Sequence, residues 1–547
     1  TSVLCIILCL LSILPSRFEL SANAGSANVI VSPSESIQAA ISNATTGDTI
    51  LVLAGTYNES LVVNKSISLI GEDRDQTIIN GQNNQFIINI TADNVTIEGF
   101  TIQNALNLNP SYGISIFNSE GNVISYNRIE NSQQGITATS SSNDVISDNI
   151  VTTNSRGGIT FTQCSNNTVA DNIITNTQLG INLQSSSSNT ISDNLITWNP
   201  QGGIALTGSS NNFFSGNVVS NNYVGLNMYS SGGNVFSGNT VANNSPGETI
   251  SYCYSNTFYD NNFYEAFQIS NSSSIWNYGG EGNYWSDYAG HDRGDGIGFE
   301  SYTVAPSNRD NYPLMGAFSS STVTFAGETY QISVISNSTV SGLEFEVGIE
   351  TGNKIIQFNV AGLEGTVGFS RIAIPRGLMS TSVIVLVGDR EIAPTWLNSQ
   401  DTAFSYLYFS YSHSNQTVLI ISSRTLDLYY QLLGNFLALN ATYYALNATY
   451  YELLSNYNTQ LQEGLSTLNN TYNELLSSYA SLLGNYSQLQ QSYQDLNTSY
   501  SQNLQNVRSL MYIFAAATAI LIVIIVYFSK HVYSRPAKAP EEKPILS

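Results

Sequence analysis

The sequence predicts a mainly β protein: a parallel β-helix solenoid, then a small antiparallel β-sandwich, a long coiled-coil helix and one transmembrane helix. Three observations carry this reading. An Asn recurs at Asn127, Asn149, Asn172, Asn194, Asn217, Asn239 and Asn261, at spacings of 22, 23, 22, 23, 22 and 22 residues. A Gly-Ile or Gly-Leu pair keeps step at Gly113, Gly135, Gly158, Gly180, Gly203 and Gly225. Toward the C-terminus the period becomes seven, and the pattern ends in the 19-residue apolar run Leu510–Phe528.

Each unit, such as NVISYNRI (122–129) or TISDNLIT (190–197), holds short alternating apolar segments split by Gly, Asn and Ser. A helical repeat needs a longer period and runs of good helix formers, so each unit reads as one coil of a parallel β-helix. No coil can bury its Ile and Val alone; stacking does so, at a rise of ~4.8 Å per coil. The Asn column then reads as an amide ladder that satisfies turn backbone, in preference to a catalytic row. Cys164 and Cys253 fall at the same place in the repeat, four coils apart. That separation of ~19 Å is too long for a disulfide, so both are expected to be free, buried thiols.

Residues 25–318 are assigned to the solenoid. Ser36–Ser42 is expected to form a short amphipathic helix capping its apolar end, followed by strands at Thr49–Leu53 and Ser66–Ile70. Ahead of it, Val3–Leu14 is almost wholly apolar and leads to Pro15 and Ala22-Asn23-Ala24. Residues 1–24 therefore read as a secretory signal whose start lies upstream of Thr1. Residues 319–424 lose the repeat and alternate apolar and polar residues between turns, the pattern of a sandwich; the lone His413 is read as a surface strand residue.

From 425 to 508 a heptad runs through Tyr430, Leu437, Tyr444, Tyr451, Leu465, Tyr472, Tyr479, Tyr486, Tyr493 and Tyr500, with a partner column from Leu454 to Leu496. A continuous helix there makes a coiled-coil stalk on the order of 120 Å long, with homo-oligomerisation through it as the expectation; an isolated helix or an intramolecular fold-back is the alternative. Residues 509–529 suit a membrane span, and Lys530, Arg535, Lys538 and Lys543 place the tail 530–547 in the cytoplasm. The bulk is thus expected outside the cell membrane, as a single-pass protein. Fifteen N-x-S/T sequons, Asn43 and Asn166 among them, fit a glycoprotein.

The 547 residues exceed one ordinary core, which agrees with several domains. Lys plus Arg is 17 against 39 Asp plus Glu, a net charge of −22. Neutralising phosphates needs clustered cations, so nucleic acid is excluded as a partner.

The opening GDTILVLAGTY and SISLIGE, the N-x-I-S-x-N-x-I coils, and the closing GNYWSDYAG (282–290) and DNYPLM (310–315) resemble the NosD-type right-handed β-helix family, also described as carbohydrate-binding and sugar-hydrolase repeats. The resemblance implies a right-handed solenoid over residues 30–316. It implies roles that range from archaeal surface proteins and copper-enzyme maturation to polysaccharide modification. Copper wants His, Met or Cys ligands. The region offers only His291, Met228, Met315 and two Cys that the repeat places inside, so no cofactor is expected. The family's acidic calcium loop would fall just after NYWSDY. Asp287, Asp292 and Asp295 are its candidates here, but His291, Arg293 and Phe299 stand where acids are expected, and a Gly-rich closing turn is preferred.

Chemistry on sugar needs paired carboxylates, or a basic residue with neutralising partners, and the coils' Arg128 and Arg156 do not share a column. Asp148, Asp171 and Asp193 each precede a ladder Asn and would stack ~4.8 Å apart, near the ~5–5.5 Å of a retaining glycosidase pair. Tyr126, Gly216, Gly238 and Asp260 fill the same column, which favours a tolerant, solvent-facing turn. Tyr223, Tyr229, Tyr252, Tyr254 and Tyr259 crowd the later coils, with Trp198 and Tyr264. Such rings suit pyranose faces or, equally, packing at the solenoid edge; for Trp198 packing is preferred. The expectation is a non-enzymatic, membrane-anchored surface protein binding glycans or neighbouring envelope proteins. The alternative is a tethered polysaccharide lyase, hydrolase or epimerase using the Asp148–Asp171–Asp193 face.

Overall fold

The computed structural model describes residues 29–528 except 83, 106–108, 349–350, 399–400 and 460–464. The expected signal (1–24) and tail (530–547) lie outside the described residues. The chain divides into two units, Thr1–Arg424 and Thr425–Ser547.

The first unit begins with a parallel β-helix of three sheets, of 12, 11 and 10 strands. The first face runs from Val29–Val31 to Ser273–Ile275, the second from Gly55–Tyr57 to Tyr284–Trp285, and the third from Leu61–Val63 to Phe267–Ser270. The strands alternate as the sequence predicts: in Thr190-Ile191-Ser192 only the Ile is fully buried. The register carries Ile124 onto Ile146, Val169, Ile191, Phe214, Phe236 and Phe258 in turn. This column changes from aliphatic to aromatic along the solenoid. Phe214, Phe236, Phe258 and Trp276 stack at ring spacings of 4.5, 4.8 and 4.4 Å, close to the rise of one coil. The Gly column has its own cause. A Cβ at Gly158 would lie 2.5 Å from Ile174 and 2.6 Å from the Gly180 carbonyl, so the chain can bend inward there only without a side chain.

Helix α1 (Ile37–Asn43) closes the N-terminal end as expected. Ser36 caps it by accepting from the Ala39 amide at 3.1 Å, and Ile37, Ala40 and Ile41 are buried. The two thiols are free and buried. They sit in one ladder, in which the amides of Cys164, Ser186, Ser209, Ser231 and Cys253 each donate to the hydroxyl or thiol of the next coil. Cysteine here occupies a serine position.

Ten strands from Ala317–Phe325 to Gln416–Ser422 form two five-stranded antiparallel sheets. Ile332, Phe358, Ile372, Leu407 and Val418 lie in the core between them. His413 corrects the sequence expectation. It is 8% exposed, with Nε2 2.9 Å from the Ser338 hydroxyl and Nδ1 2.5 Å from that of Thr366. Gly362 and Gly368 leave room for its ring, so polar partners make an inward His tolerable. The sandwich is tied to the solenoid. The Asn262 amide exchanges two hydrogen bonds with the backbone of Phe318, at 2.9 and 2.7 Å, and Arg371 pairs with Glu281 at 2.5 Å.

The second unit contains α2 (Arg424–Thr459) and α3 (Leu465–Phe528), which pair antiparallel. Tyr429 stacks on Tyr500, Phe436 on Tyr493, Tyr443 on Tyr486 and Tyr450 on Tyr479. One partner's number rises by seven as the other's falls by seven. The extended stalk is thus corrected to the alternative, an intramolecular fold-back of two helices. The phase of α2 is corrected as well: Leu437, Tyr444 and Tyr451 are exposed, and the residues one position earlier face α3. Among the described residues no helix is long and apolar enough to cross a membrane. The expected span 509–529 falls on residues whose side chains lie outside the described set.

Candidate functional site: a cleft beneath the sandwich

The turn from the first face to the second builds the site. Its leading residue takes a left-handed conformation in seven successive coils: φ is +54° at Tyr126, +57° at Asp148 and Asp171, +56° at Asp193, +64° at Gly216, +70° at Gly238 and +58° at Asp260. Asp and Gly are among the residues that tolerate this region best. The acidic column is therefore first a backbone requirement, which explains its mixed occupancy. The next residue is the ladder Asn. Its Nδ2 donates to the Oδ1 of the next coil, at 3.0 Å for Asn149 to Asn172, 3.0 Å for Asn172 to Asn194 and 2.9 Å for Asn194 to Asn217. Its own amide donates to the same oxygen, so no buried turn donor is left over. Asp310 ends the ladder, accepting from the Asn283 amide at 2.7 Å and the Trp285 indole at 2.9 Å.

Above this edge leans the sandwich, and between them lies a cleft of about 1300 Å³. Asp148, Asp171, Asp193, Gly216, Gly238, Asp260 and Glu281 form its floor; Ser320, Thr322, Gln331, Ser333, Glu344 and Asp401 line the facing sandwich. Phe213, Tyr259, Tyr278, Tyr330 and Tyr406 supply aromatic surface. Solvent reaches Asp148, Asp171 and Asp193, yet the overhang crowds them. The Asp171 carboxyl is pushed up to about 6, first by burial and then by the charges of Asp193 and Asp148. Asp193 is raised by burial. Toward the other end the Asp260 carboxyl is pushed well above the usual carboxylate range, chiefly by burial and then by the facing Glu281 carboxylate. Phe318 packs over Gly238, where no side chain competes for the space.

The structure thus brings Asp148, Asp171 and Asp193 together on a cleft floor, facing a wall that sequence periodicity could not reveal. Of the five candidate tyrosines only Tyr259 joins them, its ring 5.3 Å from that of Tyr278. Tyr229 and Tyr252 meet edge-on at 5.6 Å and, with Tyr254, lie toward the turn from the third face to the first. Tyr223 follows the second face. Trp198 does not pack; it is 58% exposed.

The metal candidates do not converge. Asp292 Oδ1 accepts from the amides of Gly294, Asp295 and Gly296, and its Oδ2 accepts from the Tyr408 hydroxyl. Asp295 accepts from the Ile297 amide, and Asp287 from the Tyr302 hydroxyl. Among the described residues no group of three His, Cys, Asp or Glu could hold a metal ion. The donor set does not fit copper either: Met228, Cys164 and Cys253 are buried apart in the stack.

A second Asn ladder, unremarked in the sequence, runs through Asn167, Asn189, Asn212, Asn234 and Asn256. Asp144 interrupts it. This carboxyl is wholly buried, its Oδ2 has no partner, and burial pushes it up to about 6.

Residues 41–214 and 152–290 match the protein family described as "Periplasmic copper-binding protein (NosD)". No curated protein matches the sequence. Several solved structures align with part of the chain. An alginate lyase from Paenibacillus sp. str. FPU-7 aligns at TM-score 0.34 and 13% identity, over 48% of this chain and 97% of that one. The mannuronan C-5 epimerase AlgE4 A-module of Azotobacter vinelandii aligns at 0.34 and 13%, over 44% and 85%. The bacteriophage CBA120 tailspike protein 2 aligns at 0.35 and 10%, over 73% and 80%.

Proposed function

We propose that the chain, whose residues 41–290 match the NosD family model, is a surface protein whose cleft holds an extended saccharide along the Asp148–Asp171–Asp193 edge. One observation carries this: the sandwich turns a row of turn carboxylates into the floor of a half-open cleft with aromatic and hydroxyl-bearing walls. Concave sites with a few fixed polar groups and aromatic faces suit sugar rings. From Asp148 to Asp260 the floor spans five coil steps, about 24 Å, which is room for several residues of a polymer.

The test is a glycan array probed with the full chain and with Ser333→Trp, which fills the groove from the sandwich side. Binding lost in the variant supports the reading; binding that survives it removes the cleft from the account. The proposal keeps the placement read from the sequence, with the bulk outside and 509–529 as the anchor. It also keeps self-association through the helical unit, where Leu437, Tyr444 and Tyr451 are 57%, 61% and 61% exposed at heptad spacing. Light scattering that finds only monomers removes the latter.

A second reading is hydrolysis. It is favoured by Asp171, a carboxyl raised to about 6 between two acidic neighbours, in the manner of an acid paired with a carboxylate. New reducing ends that vanish in Asp171→Ala would support it; unchanged release in that variant would exclude the site.

A further inference from the structure

We propose that the cleft selects saccharides that carry amino groups and rejects acidic sugar polymers, an inference that rests on the reading of the cleft as a saccharide site. Seven carboxylates line it, and among the described lining residues there is no lysine or arginine. The nearby guanidinium, Arg371, is already committed: it pairs with Glu281 at 2.5 Å and lies 4.5 Å over the Tyr406 ring. A polyuronate would meet like charge at Asp148, Asp171 and Asp193, while Arg371 is held by Glu281 and Arg376 by the carbonyls of Asp401 and Phe404 at the far wall.

A second observation points to a donor-bearing ligand. Asp260 Oδ1, in the lining of the same cleft, is buried without a hydrogen-bond partner. A buried acceptor of this kind is costly until something donates to it. The spacing argues against an extended basic peptide. The acids Asp148, Asp171 and Asp193 recur once per coil, ~4.8 Å, whereas an extended basic peptide presents same-face side chains every ~6.7 Å and falls out of step.

The experiment is calorimetric titration of the full chain with chitosan oligosaccharide, cello-oligosaccharide, oligogalacturonate and oligolysine, at a pH where the amines are protonated. Chitosan oligosaccharide is expected to bind at least about tenfold tighter than the glucose oligomer, with weakening at high salt, and oligogalacturonate not at all. Asp171→Asn with Asp193→Asn should cost the amino sugar about tenfold and the glucose oligomer less than about twofold. These variants should fold, because Asn94, Asn166 and Asn243 already adopt the same left-handed backbone. Equal binding of glucose and glucosamine oligomers would overturn the charge selection and leave the saccharide cleft standing. Binding of no saccharide would overturn both. Oligolysine binding tighter than chitosan oligosaccharide would overturn the choice of sugar.

Discussion

The solenoid and the helical pair are both built on repeats, of 22 or 23 residues and of seven, yet one pattern translates into contacts and the other misleads. In the solenoid each position of the coil has a separate physical demand. The ladder residue must offer a donor and an acceptor, the residue before it must accept positive φ, and the glycine must have no Cβ. Few residue types meet each demand, so the phase is unique. In the helices the demand is only for an apolar ring every seven residues, and the sequence supplies it twice over. Tyr429-Tyr430, Tyr443-Tyr444 and Tyr450-Tyr451 are doublets, so two phases fit equally well and only the fold-back selects the first member.

The largest expected effect lies in the unique phase. Asn194→Leu keeps the size but removes the oxygen that accepts both the Asn172 amide and its Nδ2, each at 3.0 Å. Stranding two buried donors should cost about 3–5 kcal/mol, read as a lower denaturant midpoint of the solenoid transition. A loss below about 1 kcal/mol would mean that the ladder does not hold the coils.

Asp144→Asn works in the opposite direction. It supplies the missing donor toward Asn167 and should stabilise by about 1–2 kcal/mol at neutral pH. The sign with pH is fixed by linkage. Asp144 keeps its proton to about 6 when folded, against an ordinary 3.8. Its stabilising contribution is therefore whole below the unfolded value and is lost as pH rises through about 6. The wild type should lose stability relative to Asp144→Asn across that window; parallel curves would contradict the burial of this carboxyl.

The helical pair sharpens the contrast. Tyr443→Ala removes a ring stacked at 4.8 Å on Tyr486 and a hydroxyl 3.2 Å from that of Tyr479. It should cost about 1–2 kcal/mol in the helical transition followed by circular dichroism, and Tyr444→Ala less than about 0.5 kcal/mol. The reverse order would restore the phase read from the sequence. The smallest effect belongs to Cys164→Ser, which puts back the ladder's usual residue and should shift the midpoint by under about 0.5 kcal/mol.

What was legible follows from these demands. The coils, the Asn ladder, the buried thiols and the capping helix could be read because each repeats or caps by local rules. The second ladder was harder to see, since Asp144 breaks it and serines surround it. His413 was misread because its partners Ser338 and Thr366 are distant in sequence. The cleft was invisible for the same reason: its floor obeys the repeat, but its wall comes from a non-repeating domain whose docking depends on Asn262, Phe318, Arg371 and Glu281. The tyrosines looked like one cluster because they are close in sequence, and coiling then sends them to different edges.

A structure of the full chain with a bound oligosaccharide tests the central claim most directly. Sugar density lying along Asp148, Asp171 and Asp193 beneath Ser320 and Ser333 is the predicted result. Sugar seated on Tyr229, Tyr252 and Tyr254 with the cleft vacant would contradict it.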